Sequence, residues 1–216
     1  MQELKAEVSL FGKHPSSSEY LHLGISSSFT DAISHWIESS YEVLLQSRII
    51  YSKDSLKHFY FLNEKEDSFI CGTLGLSRDS KNREYPLVVF AEVYPYSYFS
   101  ASHVALQFSH VVCRKMLDIF TQKSNKQELR VLLQQISILE TNSIKAAIPS
   151  YTIPKIEDDI EDKSVSISVE TNLLEWQHIP KDLSGMAKSI FMDREFKKSK
   201  LFFRALKTDD FITMMR

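Results

Sequence analysis

The sequence contains few of the residues that mark several large classes of protein. Its 216 residues include only 2 cysteines, 5 glycines and 6 prolines. So few cysteines exclude a disulfide-dense scaffold, and so few glycines and prolines exclude collagen-like and low-complexity chains. Disorder throughout the chain is excluded as well, because aromatic residues reach 12% of the composition. What remains is a globular chain that can bury about 70% of the surface exposed by its unfolded form.

The chain also lacks an excess of charge of either sign. Its 26 basic and 28 acidic residues give a net charge of −2. A chain so nearly neutral has no global field that would draw it to nucleic acid or to anionic lipid. We therefore expect neither a nucleic-acid partner nor insertion into a membrane.

Long hydrophobic runs are missing too, which bears on the cellular compartment. No apolar run approaches the roughly 20 residues that span a bilayer, and residues 1–7 are polar and mixed in charge, unlike a signal peptide. Cys71 and Cys113 each lie among apolar residues. This setting favours two buried free thiols in a reducing compartment, although the sequence leaves a disulfide open. These features predict a cytoplasmic protein.

Apolar runs bounded by polar residues predict the strands. A short polar link at 63–67 separates two such runs, as a hairpin requires, whereas the polar stretch 77–84 predicts a longer loop. Consecutive strands joined by short links form antiparallel sheets. The predicted strands cover 8–11, 58–62, 69–76, 87–91, 165–169, 189–192 and 201–203.

Apolar residues that recur every three or four positions predict the helices. The first helix starts at Ser28 or Asp31, and two longer ones are followed by Pro149 and Pro154, which end the helical region. A short helix is predicted at 208–215. The three apolar stripes are Phe29, Ile33, Trp36, Ile37 and Leu44; Ala105, Phe108, Val112, Met116, Ile119 and Phe120; and Leu129, Leu132, Leu133, Ile136 and Leu139.

The order of these elements predicts the fold class. Strand, helix, strands, two helices, strands and helix fit an α+β sandwich, in which helices pack on the faces of a mostly antiparallel central sheet. The acidic run at 157–162 is the best candidate for a mobile loop, which we place at about 150–164. We expect one domain over residues 1–216.

Phosphate and metal sites find little support in the sequence. Gly12-Lys13 follows a strand, but a Walker loop needs a glycine at Glu7 and a Ser or Thr at His14. The acidic run lacks the glycine and alternating oxygen ligands of a calcium loop. The histidines are not spaced as a metal site requires, so we predict no metal and no cofactor. They are His14, His22, His35, His58, His103, His110 and His178.

Ser77, Asp79 and Arg83 are the most concentrated polar group beside a strand. As a catalytic group, Ser77 would be a nucleophile, but no Gly-x-Ser-x-Gly elbow surrounds it and no histidine is near in sequence. As a structural group, Ser77 and Asp79 would cap backbone N–H groups while Arg83 pairs with Asp79 or with a carbonyl. The structural interpretation is favoured. The basic residues at 194–200 alternate with acidic ones and predict a solvated turn.

Two segments resemble a known family. Phe11-Gly12-Lys13-His14-Pro15-Ser16-Ser17-Ser18-Glu19-Tyr20 resembles Tyr-Gly-Lys-x-Pro-Ser-Arg-Gly-Asp-Phe, the opening of the TagF (ImpM) family of bacterial type VI secretion accessory proteins. Without a gap, the segment from Gly72 to Leu87 is similar to the family's Gly-x-x-x-Pro-Ser-x-Asp-x-x-Gly-Arg-x-Phe-Pro-Leu. The tail also fits, with Ser189-Ile190-Phe191, a strand ending near Ala205 and then Phe211-Ile212-Thr213-Met214-Met215. The likeness is weakest at 122–188.

The resemblance supplies the candidate motif and interaction residues. We expect Phe11, Gly12, Pro15, Tyr85 and Pro86 to shape two loops. Ser77, Asp79 and Arg83 would then lock these loops together. The full set is Phe11, Gly12, Lys13, Pro15, Ser16, Glu19, Tyr20, Gly72, Ser77, Asp79, Arg83, Tyr85 and Pro86.

The sequence departs from the family pattern at four of these loop positions. Ser17 and Ser18 replace Arg-Gly, Leu76 replaces proline and Asn82 replaces glycine. Asn82 can adopt a positive φ, but the same conformation would cost Ser18 about 1 kcal/mol. We therefore expect a reshaped first loop, which also lacks the family's arginine charge.

The resemblance implies a regulatory protein without enzymatic activity. Family members are cytoplasmic factors that restrain type VI secretion after translation by engaging a forkhead-associated scaffold protein, and their fold is likened to SNARE-like (longin) domains. The sequence leaves two alternatives open. One is a small hydrolase or nucleotide-binding enzyme that uses Ser77 and Asp79, and the other is a SNARE-like adaptor of a different complex.

Overall fold

A sheet of eight strands organises the described part of the chain. The computed structural model describes residues 5–24, 26–47, 56–63, 68–94, 113, 116–117, 119–120, 124–137, 164–168, 189–193, 198–202 and 206–215. The elements are β1 (Lys5–Lys13), β2 (Tyr20–Leu23), α1 (Ser28–Gln46), β3 (Lys57–Asn63), β4 (Ser68–Arg78), β5 (Glu84–Tyr94), α2 (Lys126–Ser137), β6 (Ser164–Ser168), β7 (Ser189–Asp193), β8 (Lys198–Phe202) and α3 (Thr208–Met215).

Every neighbouring pair in the sheet is antiparallel. The strand order is β2-β1-β5-β4-β3-β7-β8-β6, so consecutive strands pair at β1–β2, β3–β4, β4–β5 and β7–β8. The central strands β4 and β5 are buried over most of their length. Burial on both faces explains the unbroken apolar run of β5, since a half-exposed strand would alternate with polar residues. The predicted α+β fold is confirmed, while the likeness to SNARE-like domains stays a prediction.

The first helix packs one face of the sheet. Ser27 caps α1 by accepting the Thr30 N–H at 3.2 Å, and the Thr30 hydroxyl oxygen accepts the Ser27 N–H at 2.7 Å. Ile33, Ile37 and Leu44 are buried as their spacing predicts, against sheet residues of one apolar cluster. The helix begins at the earlier of the two predicted positions because Ser27 supplies the cap.

A second helical layer covers the opposite face. Residues 113, 116–117 and 119–120 are helical, and Met116 and Ile119 are buried. Cys113 donates its S–H to the carbonyl oxygen of Gly72 at 3.1 Å, and burial raises the pKa of this thiol. Cys71 is also buried, and both cysteines are free. The helices therefore sandwich the sheet, as the element order predicts.

Two predicted segments differ from the structure in their boundaries. In the polar stretch 77–84, residues 77, 78 and 84 belong to strands, because Ser77 pairs with Tyr85 and Arg78 with Glu84, which leaves a loop of only residues 79–83. In the basic segment 194–200, residues 198–200 belong to β8, because all three pair with β6 and residues 199 and 200 also pair with β7. In both segments the residues belong to strands because their backbones pair, although their side chains are polar. The acidic run and its predicted loop lie outside the described residues, except for Ser164, which begins β6.

Candidate functional site

The two motif segments meet at Gly12. This glycine pairs with Leu87 across the β1–β5 ladder and has φ of +120°. A Cβ atom added here would lie 2.0 Å from the carbonyl oxygen of Pro86. Next to it, the buried Phe11 ring lies edge-on to Phe90, with 5.9 Å between ring centroids. Gly12 and Pro86 therefore touch through their backbones, which brings the loop after β1 beside the loop between β4 and β5.

The first loop, residues 14–19, begins with a β-turn. The Ser17 N–H donates to the carbonyl oxygen of His14 at 3.0 Å. Pro15 is thereby the second residue of the turn, the position for which its fixed φ is suited. Glu19 is exposed at the end of the loop, where its N–H donates to the Ser17 hydroxyl at 3.1 Å.

The second loop, residues 79–83, is organised by the Asp79 carboxylate. One of its oxygens accepts the N–H groups of Lys81 and Arg83, each at 2.9 Å. The other accepts Arg83 Nε at 2.8 Å and lies 2.7 Å from Arg83 Nη2. Asp79 is therefore a buried loop cap paired with Arg83, as the favoured structural interpretation predicts.

Arg83 also joins the two loops. Its Nη2 donates to the carbonyl oxygen of Ser18, and the Ser80 N–H donates to the carbonyl oxygen of Ser17 at 2.9 Å. Two hydrogen bonds thus hold the loops side by side, and both use main-chain oxygens of the first loop. This chain has Ser17-Ser18 where the family has Arg-Gly. The substitution leaves the two hydrogen bonds intact, because they involve the main-chain oxygens of residues 17 and 18 and not their side chains.

The environment of Asp79 predicts a pH-dependent stability. Burial alone would raise the pKa of its carboxyl, but the hydrogen bonds from Arg83 and Lys81 outweigh burial and bring the pKa below the ordinary 3.8. A depressed carboxyl pKa stabilises the fold above the ordinary pKa, and this stability is lost as pH falls. We expect Asp79→Asn to unfold in less urea than the wild type at pH 7, with a difference that shrinks below pH 4.

Urea titrations from pH 3 to 7 measure this difference. Ser80→Ala is the control, since Ser80 lies in the same loop, is exposed and contributes its backbone to the contact. Its effect should be small and independent of pH. A constant difference for Asp79→Asn across the range would contradict the role assigned to its charge.

His14 fastens the first loop to the second helical layer. Its fully buried ring donates from Nε2 to the carbonyl oxygen of Ile119 at 3.0 Å, so Nδ1 is the acceptor of the neutral imidazole. Nδ1 lies 2.7 Å from the Ser16 hydroxyl and 3.3 Å from the Ser16 N–H. The Ser16 hydroxyl donates its one proton to the carbonyl oxygen of Ser124, so Nδ1 accepts from the Ser16 N–H. His14 and Ser16 therefore link this loop to residues 119 and 124.

Acid should weaken this attachment. Burial lowers the pKa of His14 below the ordinary 6.5, although its bond to the Ile119 carbonyl acts in the opposite direction. Between the folded-state pKa of His14 and its unfolded-state pKa of 6.5, the unfolded chain binds more protons than the folded chain. The stability that neutral His14 contributes is therefore fully present above pH 6.5 and is lost as pH falls through the folded-state pKa. We expect His14→Gln to remove part of the decline between pH 7 and 5 in urea titrations. An unchanged pH profile would contradict the prediction.

Three tyrosines line the flank of the two loops. The Tyr85 ring lies edge-on to Tyr20 at 5.5 Å and to Tyr41 at 5.1 Å, and Lys13 Nζ lies 5.5 Å from the Tyr85 centroid. Tyr20 donates its hydroxyl to Glu38 at 2.9 Å. Burial, followed by its contacts with Glu38, raises the pKa of Tyr20 well above its ordinary value. Tyr20 therefore keeps its hydroxyl proton, and its ring is held between Glu38 and Tyr85.

The backbone conformation at position 82 explains why the family pattern has glycine where this chain has asparagine. Asn82 has φ of +61°, and its N–H donates to the Asp79 carbonyl oxygen at 2.9 Å. A turn followed by a left-handed residue is a common hairpin loop, and asparagine tolerates it better than most residues. Asn82 also accepts a hydrogen bond from Arg78 at 3.0 Å. Ser18 keeps a negative φ, so the strain considered for it does not arise.

Not all candidate residues belong to the two loops. Gly72 is buried in the middle of β4, about 16 Å along the strand from Ser77. A Cβ atom there would lie 2.5 Å from the Val89 carbonyl oxygen, so this glycine serves close packing. Ser77 is half-buried on β4 opposite Tyr85, and the capping role predicted for it is taken by Asp79.

Sequence reasoning missed the residues that support the site from other elements. Sequence spacing places His14 among seven scattered histidines and singles out neither Glu38 nor Tyr41. The sequence does contain a signal for His14, because this histidine directly precedes Pro15-Ser16 inside a segment that resembles a family motif, whereas the other histidines are isolated. No local signal marks Glu38, because its partner Tyr20 lies 18 positions away.

The described residues include no three His, Cys, Asp or Glu side chains grouped as a metal site requires. The described helices also include none that is both long and apolar enough to cross a membrane. The side chains of His14, Ser16, Asp79 and Arg83 are engaged with one another or with backbone groups. The geometry is that of a surface formed by two joined loops.

The fold and the paired loops define a class, the α+β sandwiches built on an antiparallel sheet. The family model for the TagF N-terminal domain, Type VI secretion system-associated, matches residues 9–136, more than half of the chain and the region that holds both loops. The chain belongs to the TagF family.

A solved structure has a similar fold. It is the crystal structure of PA0076 from Pseudomonas aeruginosa PAO1, with a TM-score of 0.53, 15% sequence identity and coverage of 99% of this chain and 94% of that one. At this identity the likeness concerns the fold alone. The search of curated proteins finds no match.

Proposed function

We propose that this chain is a non-enzymatic cytoplasmic accessory protein that restrains type VI secretion by binding a protein scaffold of the apparatus. The family model supports the link to type VI secretion. The forkhead-associated scaffold protein implied by the family resemblance is the proposed partner. Binding would be stoichiometric, and a bound scaffold would be withdrawn from the apparatus.

One observation supports binding over catalysis most directly. The Asp79 carboxylate, the best catalytic candidate beside Ser77, is buried and occupied by donors from Lys81 and Arg83. A general base needs a free lone pair within reach of a substrate proton, and these contacts leave Asp79 as a loop cap. His14 is likewise hydrogen-bonded to Ile119 and Ser16. The loop residues therefore maintain a shape, which is what a docking surface requires.

A capture experiment tests the partner. The tagged full chain is expressed in cells with an active type VI system, and co-purified proteins are identified by mass spectrometry. We expect a forkhead-associated protein of the system to be enriched, and the enrichment to fall when Arg83→Ala separates the two loops. Recovery of a different complex in place of type VI components would contradict the proposal.

A secretion assay tests the direction of regulation. We expect deletion of the gene to raise the amount of type VI-secreted protein in the culture supernatant, and excess of the chain to lower it. Excess of the Arg83→Ala variant should restrain secretion less. Reduced secretion on deletion would show activation and contradict the proposed role.

A further inference from the structure

The solvent-facing side of α1 carries an unusual combination of residues. Asp31, His35, Glu38, Glu42 and Leu45 follow one another at three- and four-residue steps, which places them in one stripe. All are exposed except the half-buried Glu38, and Leu45 keeps 57% of its surface in solvent. The Tyr20 ring, 41% exposed, adjoins the stripe through its hydrogen bond to Glu38. We call these six residues the α1 face.

The carboxylates of the α1 face have no cationic partner among the described residues. Asp31 accepts the Ser26 hydroxyl and Glu38 accepts the Tyr20 hydroxyl, so both contacts are with neutral groups. The salt bridges found in the described ranges lie instead in the second loop and its flanks, at Arg83–Asp79 and Arg78–Glu84. The α1 face therefore has negative charge that a partner can complement.

The aromatic part of the α1 face is held rigidly. Tyr20 is fixed by its hydroxyl bond and by its edge-on contact with Tyr85, which in turn lies against Tyr41. A ring already ordered in the free protein loses little entropy on binding. Tyrosine beside apolar surface is also a common centre of protein interfaces.

We propose that the α1 face binds a protein segment in which arginine residues flank an apolar side chain. A guanidinium can lie against the Tyr20 ring while its N–H groups donate to Glu38 or Glu42. Because the guanidinium is planar, arginine can make both contacts at once better than the compact ammonium of lysine can. The apolar side chain would cover Leu45. The inference deepens the proposed function, because it rests on a protein partner and gives that partner's chemistry.

The charges of the α1 face disfavour two other binding partners, an anionic membrane and a second copy of the chain. An anionic membrane would be repelled by three carboxylates on the same face. A second copy of the chain has a net charge of −2, and its Arg83 and Arg78 are already paired with Asp79 and Glu84. Self-association is therefore an outcome of the test that would contradict the proposal.

The test uses the full chain and a defined probe. The probe is a 12-residue peptide of alternating arginine and leucine, and its counterparts carry lysine or glutamate in place of arginine. Binding is followed by NMR shifts of the ¹⁵N-labelled chain and by calorimetry. We expect saturable shifts on Tyr20, Glu38, Glu42 and Leu45, about threefold tighter binding of the arginine peptide than of the lysine peptide, and no binding of the glutamate peptide.

Matched variants assign the effect to the α1 face. Glu38→Gln with Glu42→Gln should weaken binding about tenfold, since two charge contacts are lost. The control, Glu128→Gln with Asp209→Asn, removes the same charge from other exposed positions and should leave binding unchanged. Tyr20→Leu, after urea unfolding shows that it is folded, should abolish the preference for arginine over lysine.

The results separate this inference from the proposed function. Shifts spread over other surfaces, equal weakening by the control variant, or concentration-dependent self-association in sedimentation would overturn the α1 face as the docking site. Such a result would leave scaffold capture from cells intact. Conversely, peptide binding as described, together with capture of no type VI component, would retain the surface and overturn the proposed function.

Discussion

Gly12→Ala is expected to destabilise the protein by about 3–5 kcal/mol and to separate the two loops. An alanine at φ of +120° is strained, and its methyl group would lie 2.0 Å from the Pro86 carbonyl oxygen and 2.8 Å from Leu87 Cα. Both neighbours belong to the backbone of the central strand β5, so neither can rotate away. Strain of this kind and overpacking each cost about 1–3 kcal/mol.

Chemical unfolding in urea measures the effect. The control is Asn82→Gly, which also changes a residue of positive φ but relieves strain, and its effect should be below about 1 kcal/mol. Hydrogen exchange should show increased exposure of the backbone N–H groups of Ser80 and Ser17 in Gly12→Ala. A loss of less than 1 kcal/mol for Gly12→Ala would show that β1 and β5 can move apart, contrary to the contact inferred here.

Phe211→Ala is expected to cost about 4 kcal/mol and to loosen α1. Phe211 is fully buried on α3, and its ring lies edge-on to Trp36 of α1 at 5.7 Å. Trp36 Nε1 also donates to the Lys207 carbonyl oxygen at 3.2 Å, just before α3. Removing a buried phenylalanine leaves a cavity as well as losing apolar burial, which together cost about 3–5 kcal/mol.

Two substitutions bracket this prediction. Phe211→Leu keeps most of the apolar volume and should cost about 1–2 kcal/mol, whereas Val131→Ala, at a position 43% exposed on α2, should cost less than about 0.5 kcal/mol. Tryptophan fluorescence reports on Trp36 during unfolding once the second tryptophan, Trp176, is replaced by phenylalanine in every variant compared. If Phe211→Ala behaved like Val131→Ala, α3 would not be part of the cooperative core.

The sequence predictions succeeded where the pattern that identifies an element lies within the element's own residues. The α1 stripe and the β5 apolar run are local patterns, and both correspond to elements in the structure. The β4–β5 loop was predicted too long because the side chains at 77, 78 and 84 are polar. Their backbones pair regardless, since hydrogen bonds of a ladder do not depend on side-chain polarity.

The candidate site shows the same division. The pairing of Asp79 with Arg83 was predictable, since the two lie four residues apart in one hairpin. The contacts of Arg83 with Ser18 and of His14 with Ile119 join residues 65 and 105 positions apart. Such separations carry no periodicity. The contact of Arg83 with Ser18 follows from the strand order that sets β1 beside β5, and the contact of His14 with Ile119 from the packing of the helical segment at 119 against the first loop.

By itself, the sequence determined the class of the protein and the chemistry available to it. The scarcity of cysteine, glycine and proline, the balanced charge and the apolar periodicities define an α+β chain, and two motifs mark the TagF family. Only the tertiary structure decided that these motifs form one surface, with Gly12 against Pro86 and Arg83 against Ser18. The physical reason is that antiparallel pairing of β1 with β5 brings distant backbones into contact, where a glycine without a Cβ and a buried carboxylate are the residues that fit.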